Sequence, residues 1–423
     1  MEWTIFIIFL ILLMVRVPVA LALLVSAGIA LAGTGFNLNV LPQQIFASLD
    51  EPTLMAVPGF VLAGVLMSKG GISKALIDAL RAWIGHYSGG LSVVAISACA
   101  VFAAISGSSP ATAAAIGSIM IPGMVEAGYS KRYAMGLIAA AGTLGILIPP
   151  SIPLIIYGTV SGQSIGSLFI AGVTPGIVLT LVLITFAIIY ARINKFGLLP
   201  KMSWKERRNL TIKALPALFL PVLILGIIYT GIATPTEASV VACVYALIVS
   251  VFFYKVMKVK DTRDIITSTV NTSSMIFLII AASSVFGLYL TNEQIPQRVA
   301  SLIIENDVEK VTFFIAVSIL FFIMGMFLEA ISIILITLPI FLPILPLLGI
   351  DPIHFAIVMV INIEIGMITP PVGLNLFVVS SISNVKVEEV IRGVIPFVIL
   401  MVFTLVMAII FPQLSLWLPS LMG

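Results

Sequence analysis

The chain is a succession of long apolar runs separated by short polar joints. The runs fall at about 3–33, 52–68, 91–126, 132–160, 165–191, 214–231, 235–255, 264–291, 311–348, 353–384 and 387–412. Most reach the roughly 20 apolar residues that carry a helix across a bilayer, and none alternates apolar with polar positions as a barrel strand does. The pattern predicts an all-α polytopic membrane protein. Two stretches differ, at about 71–86 and 293–306. There Ile72, Leu76, Leu80 and Trp83, and Ile295, Val299 and Leu302, recur at three- to four-residue spacing between charges, which predicts helices lying in the membrane interface. The start, Met1-Glu2-Trp3, lacks the basic region and small-residue cleavage site of a secretory signal. The first run is therefore read as a membrane helix that is retained.

One interruption is written twice. Gly145-Ile146-Leu147-Ile148-Pro149-Pro150 and Gly366-Met367-Ile368-Thr369-Pro370-Pro371 lie 221 residues apart, each inside an apolar run. The same offset pairs Pro343 with Pro122, Gly349 with Gly128, Gly393 with Gly172, Pro396 with Pro175 and Leu400 with Leu179. A Gly-Pro break at membrane depth leaves backbone groups unpaired, which hydrocarbon tolerates only inside protein or beside a cavity. Matching breaks in two halves of a chain point to a transport site.

Composition agrees: 61% of residues are hydrophobic, 9% are charged, and the mean hydropathy is +1.23. The net charge of +3 says less than its distribution. The joint from Gly197 to Lys213 carries Lys201, Lys205, Arg207, Arg208 and Lys213 against Glu206 alone, which marks it as cytoplasmic. Counting spans from there places Lys69, Lys74, Arg81, Lys131, Arg132, Lys255, Lys258, Lys260 and Arg263 inside. Asp50, Glu51, Glu237, Glu293, Glu305, Asp307, Glu309 and Asp351 fall outside, with Arg298 and Lys310 the only basic residues there. The count closes only if 91–126 and 311–348 dip in and return to their own side. The first hairpin then enters from the cytoplasm and the second from outside, so the repeats are inverted. This divides the chain into an N-terminal scaffold (1–51), a first repeat (52–191), a basic joint with linking helices (192–263) and a second repeat (264–423).

The candidate chemistry sits at the interruptions. The first hairpin tip holds Ser106, Gly107, Ser108, Ser109 and Thr112, with Pro110 suited to the first turn of a new helix. A helix end presents carbonyls and partial negative charge, which suits Na⁺. A helix start presents N–H groups and partial positive charge, which suits a carboxylate. At the two breaks the residues before the prolines, including Gly145, Ile148, Gly366 and Thr369, offer carbonyls, and the next half-helix is expected to start at Pro149-Pro150 and Pro370-Pro371. Glu329 lies at the second tip, after Gly325 and Leu328, and Glu364 precedes the second break; carboxylates this deep default to function. Glu329 is a candidate ion ligand, proton-sensitive group or gate, and Glu364 is either functional or neutral and hydrogen-bonded in the bundle. Ser151, Gly373 and Asn375 add polar or backbone groups just after the breaks. The alternative for these small and polar residues is close helix packing or plain proline kinks. Arg16, midway along the first run, reads as a snorkelling or lipid-facing residue. Cys99 and Cys243 are isolated and suggest neither disulfides nor zinc. His86 and His354 read as interfacial.

At these positions the chain resembles the large membrane subunit of tripartite ATP-independent periplasmic (TRAP) transporters, the DctM-like family that includes sialic acid permeases. The resemblance rests on Gly107-Ser108-Ser109-Pro110-Ala111-Thr112, Ile148-Pro149-Pro150-Ser151-Ile152-Pro153, Gly325-Met326-Phe327-Leu328-Glu329 and Thr369-Pro370-Pro371-Val372-Gly373, and it spans essentially the whole chain. It implies an inverted-repeat, elevator-type secondary transporter of the bacterial inner membrane, whose two hairpins and two broken helices bind Na⁺ and substrate. Ser106, Gly107, Ser108, Ser109, Gly145, Ile148, Gly325, Leu328, Glu329, Gly366 and Thr369 are the expected sodium residues. Ser109, Pro110, Thr112, Pro150, Ser151, Pro371, Gly373 and Asn375 are the expected substrate residues. The family further implies a separate four-helix membrane subunit and a periplasmic binding protein. Many relatives carry Asp where this chain has Glu329, which puts direct metal ligation at that position in doubt.

The expected function is sodium-coupled import of a small organic acid, a C4-dicarboxylate by default and a sialic or other sugar acid otherwise. No organic cofactor or other metal is expected. A self-sufficient anion carrier differs by not needing the binding protein. An intramembrane enzyme would require a catalytic set, and neither a Ser-His or paired-acid arrangement nor an HExxH motif is present. A purely structural membrane protein would not need two polar, inverted interruptions.

Overall fold

A computed structural model describes residues 4–194, 196 and 199–421. Met1-Glu2-Trp3, and Gly197 at the head of the basic joint, lie outside the described residues. Among the described residues all regular structure is helical. The chain runs α1 (Thr4–Met14), α2 (Val19–Gly33), α3 (Leu41–Leu49), α4 (Ala56–Lys69), α5 (Ile72–Ile84), α6 (Gly90–Ser106), α7 (Ser109–Glu126), α8 (Lys131–Leu147), α9 (Ile152–Ser161) and α10 (Ile165–Asn194). It continues with α11 (Trp204–Tyr229), α12 (Pro235–Ile248), α13 (Asp261–Asn292), α14 (Ile295–Glu305), α15 (Lys310–Gly325), α16 (Ala330–Phe341), α17 (Pro352–Met367), α18 (Leu374–Ser383), α19 (Val387–Ile410) and α20 (Gln413–Ser420). Seven helical segments among the described residues are long and apolar enough to cross a bilayer.

The internal repeat is visible in the helix register. Shifted by 221 residues, the starts of α5 through α10 fall within two residues of the starts of α14 through α19. The short helices α5 and α14 answer the two amphipathic stretches. The pairs α6–α7 and α15–α16 answer the two hairpin runs, and α8–α9 and α17–α18 the two broken helices. The first halves of the broken helices form the centre. Every residue from Tyr133 to Leu147 and from His354 to Met367 is buried, as a helix apolar all round requires. By contrast α11, α12 and α19 expose Val222, Val240 and Ile399, the apolar outer faces that a lipid environment covers.

Three sequence expectations are corrected. The run 3–33 is two helices. Arg16 adopts a left-handed φ of 65°, its N–H bonds to the Leu13 carbonyl, and the Val17 N–H bonds to the Leu12 carbonyl. This is a Schellman closure of α1, followed by Pro18, which cannot continue a helix. Arg16 is thus an exposed residue just past a helix C-terminus, where its charge meets the carbonyl end. Second, Pro149-Pro150 and Pro370-Pro371, both cis, lie in the connections and do not start the next helices. Those begin at Ile152, behind an extended Ser151 at φ −122°, and at Leu374, behind Gly373 at φ 58°. A proline holds its predecessor extended, so the doublet delays helix entry. Third, the basic joint is largely helical. Ser203 and Glu206 form a capping box that starts α11 at Trp204, ten residues before the apolar run.

Candidate functional site: two tips and two breaks around one cavity

Each hairpin tip is seated on the break that follows it. In the first tip α6 closes on Gly107 in a left-handed conformation (φ 58°), and Ser108 is the extended residue before α7, with Pro110 in its first turn. A Cβ on Gly107 would lie 2.9 Å from the Pro150 carbonyl, and one on Gly145 would lie 2.6 Å from the Ser108 carbonyl and 2.8 Å from the Ser109 nitrogen. The second tip repeats the arrangement. A Cβ on Gly366 would lie 2.6 Å from the Gly325 Cα, and the Gly373 N–H donates to the Met326 carbonyl at 3.0 Å. Both breaks are glycine because backbone meets backbone there.

These contacts bring Ser106 to Ser109 together with Gly145, and the tip at Gly325, Leu328 and Glu329 together with the break at Gly366 and Thr369, while Ile148 is placed against Gly176 of α10. Thr369 Oγ1 donates to the Ile365 carbonyl at 2.7 Å. Leu328 is buried, and its N–H bonds to the Met324 carbonyl. Glu329 precedes α16, with Oε1 buried and unpartnered. No group of three or more His, Cys, Asp or Glu side chains occurs among the described residues. A cation here would be held by carbonyls, hydroxyls and one carboxylate, the donor set of a hard ion. Glu364 is fully buried, with both carboxyl oxygens unpartnered.

Both tips open on one cavity of about 340 Å³. Ser106, Gly107, Ser108, Ser109, Pro110 and Glu329 line it. The start of four half-helices reaches it: Ser109 to Ala111 of α7, Ile152 and Pro153 of α9, Ala330 and Ile331 of α16, and Leu374 of α18. The first N–H groups of a helix have no intrahelical acceptor, so four partial positive charges face one space.

The remaining residues expected at the substrate stand behind this wall. Thr112 is buried; its Oγ1 donates to the Ser108 carbonyl at 2.8 Å and lies 2.9 Å from Ser106 Oγ. Asn375 is buried and donates through Nδ2 to Ser109 Oγ (2.7 Å) and to the Ala139 carbonyl (3.2 Å). Ser151 donates to the Ile146 carbonyl. Pro150 lies against Gly107, Gly373 is tied to Met326, and Pro371 is exposed. None of these six lines the cavity.

The opposite wall was not singled out from sequence. It comes from α4, through Val61, Gly64, Val65, Ser68 and Lys69, and from α13, through Ser268, Thr272, Met275 and Ile276. The helical spacing of the α13 residues was the available signal. The same α13 face continues as Ile280, Ser283, Ser284, Gly287 and Thr291 into a second cavity of about 540 Å³, which is closed by α3, α9 and α16.

The chain matches the family model "Tripartite ATP-independent periplasmic transporter, DctM component" over residues 6–414. It is 44% identical over 387 residues to a C4-dicarboxylate TRAP transporter large permease of Pseudomonas aeruginosa, covering 92% of this chain and 91% of the other. It is 34% identical to a sialic acid TRAP transporter large permease of Vibrio cholerae (97% and 96%). It is 37% identical to an isethionate TRAP transporter permease of Oleidesulfovibrio alaskensis, spanning 96% of this chain and 64% of that protein. Among solved structures, the YdaH transporter of Alcanivorax borkumensis superposes with a TM-score of 0.64 at 16% identity, covering 88% and 87% of the two chains. MtrF of Neisseria gonorrhoeae superposes at 0.63 and 12%, covering 97% and 96%. At that identity both show the fold alone. With the duplicated breaks, the paired tips and the matched length taken together, this multi-pass membrane chain belongs to the DctM component family of TRAP transporters, as a large permease protein.

Proposed function

We propose that the chain is the permease of a sodium-coupled importer of a small organic acid, working with a small membrane subunit and a periplasmic binding protein in a bacterial inner membrane. The observation that carries this reading is the convergence of four half-helix starts on the cavity between the tips. Such starts attract an anion without a fixed cationic side chain, and the carbonyl-rich tip–break junctions beside them suit Na⁺. Ions seated at the junctions order the tips and so raise affinity for the acid, and by linkage the acid raises affinity for the ions. The inverted hairpins and broken helices act as one moving unit against α4 and α13, an elevator. Glu329 fits as an ion ligand, since a bare carboxylate beside the acid would repel it.

The substrate reading is a C4-dicarboxylate, supported by relatives of that name in Pseudomonas aeruginosa and Vibrio cholerae. Relatives named for sialic acid, ectoine and isethionate keep other small polar acids and zwitterions as the second reading. The test is uptake into proteoliposomes holding all three components. Uptake should stop when the sodium gradient is removed and should require the binding protein. Undiminished uptake driven by protons alone would sink the sodium assignment, and uptake without the binding protein would favour a self-sufficient carrier.

A further inference from the structure

Lys69 is the sole basic side chain among the described residues lining the inner cavity. It sits in the last turn of α4, on the side that the charge distribution assigns to the cytoplasm, and its Nζ is 3.2 Å from Asp264 Oδ2 in the first turn of α13. The two side chains are 42% and 69% exposed. A pair this exposed shifts an equilibrium by no more than about fivefold. Each charge also keeps a favourable helix end when the pair opens, because Lys69 faces the carbonyl end of α4 and Asp264 the N–H end of α13. The pair is therefore exchangeable at little cost, and an anion in the cavity is a competitor for Lys69. One carboxylate suffices for the half-helix starts of the opposite wall, so Lys69 matters only to an acid that carries a second.

We propose that Lys69 is the charge-selecting residue of the permease: at the cavity mouth it exchanges Asp264 for the second carboxylate of a dicarboxylic acid whose first carboxylate rests on the half-helix starts. This rests on the importer reading above. Lys69 acts on dianions and leaves monoanions nearly unaffected. Asp264 sets how much of the lysine is available, which predicts opposite effects for the two partners. The position is on the wall facing the tips, so the selection operates where the acid meets the cytoplasm.

The experiment uses the complete three-component transporter in proteoliposomes, with binding protein supplied outside only, so that the lumen stands for the cytoplasm. Sodium-driven uptake of labelled succinate is measured first. The lumen is then preloaded with succinate or with butyrate, an acid of equal length lacking the second carboxylate, and the concentration that halves uptake is read for each. In the unaltered chain succinate should inhibit at lower concentration than butyrate. Lys69→Gln should raise the succinate value by up to about fivefold, the scale of one partly exposed charge contact, and leave butyrate in place. Asp264→Asn should lower the succinate value, and Lys69→Arg should retain discrimination. The ratio of the two acids within one variant does not depend on how much protein folds. Equal shifts for both acids, or none, overturn the proposal. Uptake of labelled sialic acid but not succinate also overturns it while sparing the importer reading. Uptake of neither removes the importer reading and this inference with it.

Discussion

The bond from Asn375 to Ser109 offers the sharpest energetic test of the site. It crosses from the second broken helix to the first hairpin tip at 2.7 Å, and Asn375 is fully buried. Replacing Asn375 with Leu removes this bond and the weaker one to the Ala139 carbonyl. A net hydrogen bond contributes about 1 kcal/mol, and a buried partner left without one costs about 1–3 kcal/mol. The Ala139 carbonyl keeps its place in the α8 ladder and Ser109 can still donate, which sets the cost at about 1–3 kcal/mol. If it falls on tip ordering, apparent affinity for the acid drops about 5- to 150-fold. The assay is a double-mutant cycle on the half-saturating acid concentration for uptake, with Asn375→Leu, Ser109→Ala and both together. Residues in direct contact should couple by at least about 0.5 kcal/mol, and the double variant should lose less than the sum of the singles. Additive losses within about 0.3 kcal/mol would refute the claim that this bond holds the tip.

The remaining predictions concern packing, charge and access. Gly366→Ala, whose Cβ meets the Gly325 backbone at 2.6 Å, should lower thermal stability in detergent and abolish uptake, at a cost of about 1–3 kcal/mol. Gly28→Ala, with nothing within 4 Å in α2, should be neutral or stabilising by up to about 1 kcal/mol; equal behaviour of the two would count against the close tip–break contact. Glu329→Gln should raise the half-activating sodium concentration about tenfold or more, the scale of a charged ligand contact, and an unchanged sodium dependence would remove Glu329 from the ion site. With Cys99 and Cys243 replaced, Thr272→Cys should label from the cytoplasmic side and Ser284→Cys from the outer side with an impermeant thiol reagent. Labelling of both from one side would contradict the division of the α13 face between two cavities.

Much of this architecture was legible because it is written in local chemistry. Apolar runs bounded by charges marked the long helices, and Gly107-Ser108-Ser109-Pro110 marked a helix stop followed by a helix start. The register of α5–α10 on α14–α19 follows from the 221-residue offset in a few prolines and glycines. What stayed hidden depends on which way a side chain turns. Thr112 and Asn375 look like ligands in sequence, yet the Thr112 hydroxyl is bonded to Ser108 and the Asn375 Nδ2 to Ser109 and Ala139, while Asn375 Oδ1 stays buried without a partner; a hydroxyl or amide serves a cavity and a hairpin equally well. Lys69 and Asp264 are 195 residues apart, too far for any local signal. The proline doublets mark the two breaks but not the helix starts expected there, which come later at Ile152 and Leu374, because a proline holds the residue before it extended. The first run hid its break because Arg16 and Pro18 are short punctuation inside apolar sequence.

The cross-repeat bond also bears on ancestry. Under the 221-residue offset Asn375 corresponds to Leu154, which carries no amide, so the bond is made in one direction only. Two identical half-length chains facing each other would make such a bond twice or not at all. A one-way tie can be encoded only after two copies have been joined and each has become free to mutate alone. The same holds for Glu329 opposite Ser108 and Thr369 opposite Ile148. The break glycines Gly145 and Gly366, which both copies share and which seat each tip on its break, are what a paired ancestor could already have possessed. The polar differences laid over them record the division of labour that fusion made available.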